Sequence, residues 1–454
     1  MNVALPSIRR DLGASVSGLQ WVVDAYTVVL AALLMLAGST ADRVGRRRTF
    51  QVGLAVFTIG SLLCGMAGSL GLLVAFRALQ AVGGSMLNPV AMSIITNTFV
   101  DPRARARAVG VWGGVVGVSM GLGPVVGGAL VESVGWRSVF WINVPIGLAA
   151  IALTAAFVPE SRAARARRID PVGQVLVAGA AGCLTYAIIE SPSAGSTSAR
   201  VLVPAVLAVL AVIGLIRYEP RRDEPLLDLS FFRSVPFSAA TLTAVAAFGA
   251  FAGLLFLSTM YLQTVRGLSP LLAGLYTLPM AAMLVVAAPV SGRVVGARGA
   301  RLPLLVAGIG ITAAGLMLTR LTDHTATSYL LLAFLVFGLG FGAVNAPITN
   351  AAVSGMPRAQ AGVAAGVAST SRQVGSALGV AVMGSVVVAR GGTVPSEFAT
   401  ASLPGWWIVV GCGLVILGLG WWATTPAARD RADRIAEAFG ESAPRGDRPT
   451  ESTP

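Results

Sequence analysis

The chain has 454 residues, 55% of them hydrophobic and only 12% charged, with a formal net charge of +13. So little charge over this length excludes an ordinary water-soluble domain, and the basic excess is then no sign of nucleic-acid binding. All 33 basic residues are Arg, a composition that with the abundant Ala and Gly suggests a GC-rich bacterial source.

In chain order, Met1–Ile8 is too short to cross a bilayer and is ended by Arg9, Arg10 and Asp11. Thirteen apolar stretches long enough to span follow, at 18–38, 49–69, 71–98, 106–130, 138–157, 171–190, 201–216, 236–262, 269–290, 302–320, 327–350, 361–389 and 404–423. This is the pattern of an all-α integral membrane protein. The tail from Thr424 is polar and predicted to be disordered. Cys64, Cys183 and Cys412 each lie in an apolar stretch without metal-ligand spacing, which predicts free buried thiols. No signal peptide is visible. No phosphate-binding loop of the GxxxxGK[ST] form is possible without Lys, which excludes ATP-driven transport by this chain. No catalytic constellation, metal site or cofactor is expected, and the lone His324 in a loop is given no role.

Arginine sets the expected orientation. One side of the spans collects 24 Arg and the other 7, with Arg77 and Arg372 inside spans. The Arg-rich side, which holds the tail, is predicted to be cytoplasmic. Thirteen spans with the tail inside would leave the first residue outside; a fuller first helix would bring it inside. The expectation is therefore a chain that lacks the start of its first helix.

The stretch Gly110–Gly128, GVWGGVVGVSMGLGPVVGG, carries no charge. Gly110, Gly113, Gly114, Gly117, Gly121 and Gly123 allow close approach of another helix, and Pro124 permits a bend. Internal echoes mark a duplication. Pro102-Arg103-Ala104 recurs as Pro357-Arg358-Ala359, and Asp42-Arg43-Val44-Gly45-Arg46 finds a counterpart in Gly292-Arg293-Val294-Val295-Gly296. The simplest partition is six spans, two, then six: residues 1–157 as a first bundle with an incomplete first helix, 158–235 as two additional helices and linkers, 236–423 as a second bundle, and 424–454 as a cytoplasmic tail. Repeated halves fit a secondary transporter with its site between them.

With these motifs the sequence resembles the major facilitator superfamily, and within it the fourteen-helix drug:proton antiporter branch of the EmrB/QacA type. The loop signature stands as Gly38-Ser39-Thr40-Ala41-Asp42-Arg43-Val44-Gly45-Arg46-Arg47, and the fourth-helix signature as Arg77-Ala78-Leu79-Gln80-Ala81-Val82-Gly83-Gly84. The Gly-rich stretch is similar to the antiporter signature, ending in Gly123-Pro124-Val125-Val126-Gly127-Gly128, with Ser119 where Gly is usual. Trp136–Gly147, Tyr261-Leu262-Gln263, Ser269-Pro270 and Ala273-Gly274 also look like this branch. The resemblance implies a proton-coupled exporter of the bacterial plasma membrane, multi-pass and monomeric, acting on small amphipathic substrates in the lipid bilayer without nucleic acid.

Several residues are candidates for the mechanism. Asp24 and Arg77 lie at similar depth, and intramembrane charges default to function with a named partner. Either Asp24 carries a proton tuned by Arg77, or the two form a static ion pair. Asp42 is either a solvated charge or, as the resemblance suggests, part of an inner gate with Arg43, Arg46 or Arg103, to which Gly121, Gly123 and Pro124 contribute the sealing face. Arg372 lies near mid-membrane beside Gln373, and its partner is expected from the first half, a missing helix, backbone carbonyls or an anionic substrate. Glu190 reads as a solvated end residue. Asn88-Pro89 and Asn345-Ala346-Pro347 are polar breaks that either line a cavity or simply kink a span. Trp21, Tyr26, Met86, Trp112, Phe248, Phe251, Tyr276 and Met280 are candidates for an adaptable cavity wall, or else ordinary lipid and core contacts. The leading expectation is export by alternating access. Uptake of a nutrient by proton symport is the alternative, and a receptor without flux would need a signalling domain that the tail does not offer.

Overall fold

The computed structural model describes residues 1–99, 101–162, 170–222, 226, 229–353, 361–392 and 394–425. Pro357-Arg358-Ala359, Arg165, Arg167, Arg168 and the tail from Pro426 lie outside the described residues, as do the surroundings of Gly110, Gly113 and Gly114.

The described residues are helical throughout, without strands, and thirteen spans are long and apolar enough to cross a membrane. A 3-10 turn and the short α1 (Leu5–Leu12) precede them, ended by Gly13 at φ +62°. Then come α2 (Val16–Val44), α3 (Arg46–Met66), α4 (Leu70–Thr98) and α5 (Pro102–Ser133). The stretch expected at 138–157 is broken into α6 (Ser138–Trp141) and α7 (Asn143–Phe157). The pair α8 (Pro171–Ala194) and α9 (Ala199–Tyr218) follows. The remaining helices are α10 (Val235–Met260), α11 (Pro270–Tyr276), α12 (Leu278–Arg298), α13 (Arg301–Leu318), α14 (Thr327–Val353), α15 (Ala361–Ala389) and α16 (Pro395–Trp422). Helix starts are set locally: Ser15, Ser69, Asp101, Asp170 and Ser269 each cap the helix that follows with a side-chain oxygen.

Packing sorts the helices. In the first half, α2 and α3 pack on α4, and α3 on α7; in the second, α10 packs on α15, α12 on α14, and α13 on α14 and α16. Between them α8 lies against α9, α2 and α15. The halves meet along two seams, α5 with α11 and α12, and α2 with α15. Small residues permit the tightest approaches inside the second half: a Cβ on Gly379 would lie 2.7 Å from Gly249 Cα, so α10 and α15 touch through backbone. On α5 the stripe Val111, Val115, Val118, Leu122 and Val126 is exposed, the face a lipid solvent covers. Cys64 is buried, whereas Cys183 and Cys412 are only half-buried; all three are free.

Candidate functional site

The Gly-rich face of α5 repeats as Gly117, Gly121, Pro124 and Gly128, spacings that keep one helix side. Its contact with the second half is one-ended. A Cβ on Gly128 would lie 2.8 Å from Leu271 Cα, and one on Gly274 of α11 would lie 2.8 Å from the Pro124 carbonyl carbon. Glu132 adds a bond across the same seam, its Oε2 accepting from Leu271 N at 3.1 Å. At Gly121 the fit loosens to 3.1 Å from Ala281 Cβ, and at Gly117 nothing lies within 4 Å. Among the described residues the seam is thus closed from the end of α5 down to Gly121, about 18 Å at 1.5 Å per residue, and has loosened at Gly117. Gly123 is corrected: it is exposed, with nothing within 4 Å, because it lies off the seam face. Gly128, the last residue of the signature, makes the close approach instead.

The second seam is polar. Gln20 Nε2 donates to the carbonyls of Val380 (3.2 Å) and Ala381 (2.8 Å) on α15. Asp24 follows Gln20 by four residues and therefore shares its face. Asp24 is fully buried, with Thr27 Oγ1 donating to Oδ1 at 3.3 Å and Oδ2 without a partner among the described residues. Farther along the pair, Met35 is 4.0 Å from the Cβ position of Gly366. The helix α8 straddles this seam: Trp21 Nε1 donates to Glu190 Oε1 at 3.2 Å, Ser385 Oγ donates to the Ile188 carbonyl at 2.8 Å, and Gln174 Nε2 donates to the Ala32 carbonyl. Trp21 is therefore an α2–α8 contact rather than a cavity wall, and Glu190 is its partner rather than a free end charge.

Arg77 does not pair with Asp24; no ion pair joins them among the described residues. Its Nε donates to the Val22 carbonyl at 3.0 Å and its Nη1 to Gln80 Oε1 at 2.5 Å, while Gln80 Nε2 donates to Ser61 Oγ at 2.5 Å. The guanidinium lies 4.2 Å over the Tyr26 ring. Val22 and Tyr26 are four apart and lie on the side of α2 away from Asp24, so equal depth put the two charges on opposite faces. The chain Ser61–Gln80–Arg77 ties α2, α3 and α4 within the first half. Tyr26 belongs to that tie, and Met86 packs at Gly53 on α3, so both serve packing inside one half.

The loop residues are likewise internal. Arg46 Nη2 meets Asp42 Oδ1 at 2.8 Å, four residues back across the α2–α3 corner at Gly45. Glu160, which no sequence motif marks, completes this corner: its carboxylate accepts from Arg47 N at 3.1 Å and Arg48 N at 3.2 Å, capping α3 from beyond α7. The Arg46 amide donates to the Ser161 carbonyl. Arg43 and Arg103 are exposed and form no ion pair among the described residues, so the Asp42 pair does not bridge the halves.

On the second half, Arg372 Nη2 donates to Thr349 Oγ1 at 2.7 Å and its guanidinium lies 5.8 Å from the Phe248 ring. The partner thus comes from its own half, contrary to expectation, because α14 brings a hydroxyl to it. Phe248 meets Phe341 edge-on at 5.1 Å, and Phe251 stacks on Phe341 at 4.3 Å. Nothing in the sequence singles out Phe341, one Phe among many in an apolar stretch. Gln373 is half-buried without a partner among the described residues, Asn345 accepts from Thr349 through its carbonyl, Trp112 is half-buried on the open part of α5, and Asn88 is exposed. Outside the spans, Asp11 Oδ2 accepts from Trp136 Nε1 (2.9 Å) and Arg137 Nη1 (2.7 Å), bonds that hold its carboxyl below the usual carboxylate range.

The chain is 42% identical over 405 residues to the tetracenomycin C resistance and export protein of Streptomyces glaucescens, covering 88% of this chain and 75% of that one. It is 37% identical over 389 residues to the multidrug resistance protein Stp of Mycobacterium tuberculosis, covering 86% and 72%. Among solved structures, an auto-inhibited peptide transporter of the POT family superposes with a TM-score of 0.67 at 15% identity, covering 93% of this chain and 92% of that one, a likeness of fold. The family description Major Facilitator Superfamily matches residues 1–380. The chain belongs to the major facilitator superfamily.

Proposed function

We propose that this chain is a secondary transporter that exports small amphipathic compounds (drugs, antibiotics or metabolites) by alternating access, in exchange for protons. The observation that carries the reading is the graded seam: among the described residues, α5 makes its close approaches to α11 and α12 at the Arg-poor end. Two halves joined at one end are half of an alternating-access cycle. With the Arg-rich end cytoplasmic, a seam tightest at the opposite end supports an inward-facing reading of this state. Outward direction rests on the export and resistance proteins to which the chain is similar.

The division into two six-helix bundles (1–157 and 236–423), with 158–235 as an added helix pair, makes it a fourteen-helix exporter in plan. Asp24 is the proton carrier in this reading. A buried carboxyl without a cation partner makes its charge costly, and a proton removes that cost. When the α2–α15 seam parts, water reaches Asp24 and the proton leaves. Arg77 positions α2 against α4, the Asp42–Arg46–Glu160 cluster holds the α2–α3 corner as one piece while it moves, and Arg372 with Phe248 and Phe251 offers a cationic and aromatic wall to substrate.

The test is dye export from cells and dye uptake by inverted vesicles, with the proton gradient intact or collapsed. Gradient-dependent export is expected, and Asp24→Asn should abolish the gradient dependence while dye still binds. Dye movement indifferent to the gradient, or full proton-driven export by Asp24→Asn, would remove proton coupling through this residue.

A further inference from the structure

Arg372 is a charge to which the second half offers no counter-charge. From Val235 to Ala389 the sequence contains one acid, Asp323, in the connection between α13 and α14 at the Arg-poor end. Among the described residues no ion pair includes Arg372. Of its donors only Nη2 is bonded there, to Thr349 Oγ1 at 2.7 Å, and Nε is buried without a partner. Thr349 Oγ1 already donates its own proton to the Asn345 carbonyl at 3.0 Å. The helices α10 and α15 run in the same direction from the Arg-rich end, Val245 meeting Gly375 and Gly249 meeting Gly379. At 1.5 Å per residue Arg372 lies about 16 Å along α15 and Phe248 about 20 Å along α10. That is near the middle of a hydrocarbon layer about 30 Å thick, where an unneutralised cation is costly and marks a functional position.

The surroundings of the guanidinium are aromatic on one side and open on the other. Phe248 lies 5.8 Å from it, backed by Phe341, on which Phe251 stacks at an interplanar angle of 8°. The helix α14 packs on α10 through Phe341, on α12 through Gly342 and on α13 through Gly340. Asn345 follows Phe341 by four residues and Gly342 by three, so it points between α10 and α12 and away from α13, and Thr349 continues that row. The row therefore fronts the space between the halves. Arg372, Phe248 and Asn345 are half-buried and Thr349 is exposed, so the cluster can be reached from that space.

We propose that the compounds this chain carries are aromatic acids, a planar ring bearing a carboxylate or sulfonate, with the acid group on the unused N–H groups of Arg372 and the ring against Phe248. This rests on the export reading and narrows its substrate class. An anion brings the counter-charge that the second half lacks, through charge-assisted bonds stronger than those of a neutral ligand. A cationic amphiphile with the same ring meets an unneutralised guanidinium instead. The ring gains an aromatic partner that an aliphatic acid cannot use.

The test is equilibrium binding to the purified full-length protein in neutral detergent, read by fluorescence anisotropy of pyrenebutyrate and of pyrenebutyltrimethylammonium, which share a ring and differ in charge. The wild type should bind the anion about tenfold more tightly, the effect of one hydrogen bond to a charged group. Arg372→Gln should erase that preference, and Arg372→Lys should keep part of it. Phe248→Leu should weaken pyrenebutyrate about threefold and leave its competitor decanoate, an acid without a ring, unaffected. Thr349→Asp supplies an internal counter-charge and should cancel the preference even if Arg372→Gln fails to fold. Equal binding of the two dyes by the wild type, or an anion preference that survives both Arg372→Gln and Thr349→Asp, overturns the proposal. Gradient-driven export of a dye with equal binding of the two ions sinks this inference and leaves the export reading; anion-selective binding through Arg372 without gradient-driven export of either dye does the reverse.

Discussion

The two seams between the halves hold the Arg-poor end of the molecule by different means. On α5 the contact is backbone against backbone, with Gly128 and Gly274 admitting the facing chain. On α2 it is a polar side chain, Gln20, reaching two carbonyls of α15, with α8 laid across the joint. A backbone seam tolerates no added volume but costs little to part and re-form, because it holds few directed bonds. A side-chain seam tolerates volume and resists parting through its hydrogen bonds. The difference suggests that α5 sets how far the halves close and α2–α15 sets how readily they open.

The strongest way to break this contrast is volume on α5. Gly128→Leu forces a side chain into the Pro270–Leu271 backbone, an overpacking cost of about 1–3 kcal/mol. Dye export should fall at least tenfold, with a lowered Tm in detergent; normal export would show that the seam need not close. Gln20→Leu keeps volume and removes the bonds to Val380 and Ala381, each worth about 1 kcal/mol. The open state should gain about thirtyfold in population, read as label accessibility at a Cys introduced on α15.

A graded pair sharpens the picture. Gly121→Leu, facing Ala281 at 3.1 Å, should slow export by severalfold, whereas Gly123→Leu, with nothing within 4 Å, should stay within about 0.5 kcal/mol of wild-type stability and export normally. Equal effects at the two positions would contradict the assigned face. The smallest effect lies outside both seams. Trp136 and Arg137 lower the Asp11 pKa in the folded chain, so their contribution is full above the ordinary carboxylate range, near 4, and is lost as pH falls through the lower folded value. Acidification should loosen α1, measured by hydrogen exchange, without parting either seam, and Asp11→Asn should remove that pH dependence.

Much of the fold is legible in the order of residues. All thirteen spans can be found there, because apolar length is a property of consecutive residues. The close-packing role of the α5 ridge is legible too, since spacing on one helix shows which glycines share a side. Gly123 misleads because a signature counts residues while contact depends on the helix face. The expected pairing of Asp24 with Arg77 fails for the same reason: depth follows from counting, but the direction in which a side chain points depends on which neighbour its helix rolls toward.

What the chain determined by itself was therefore one-dimensional: which segments prefer lipid, where Pro and Gly bend or thin a helix, and which end carries the Arg. Tertiary structure alone decided the partners, because Glu160 meets α3, Gln20 meets α15 and Thr349 meets Arg372 across separations of 112, 361 and 23 residues. Burial leaves each such polar group dependent on whatever atom packing brings within about 3 Å, and no local pattern encodes that atom.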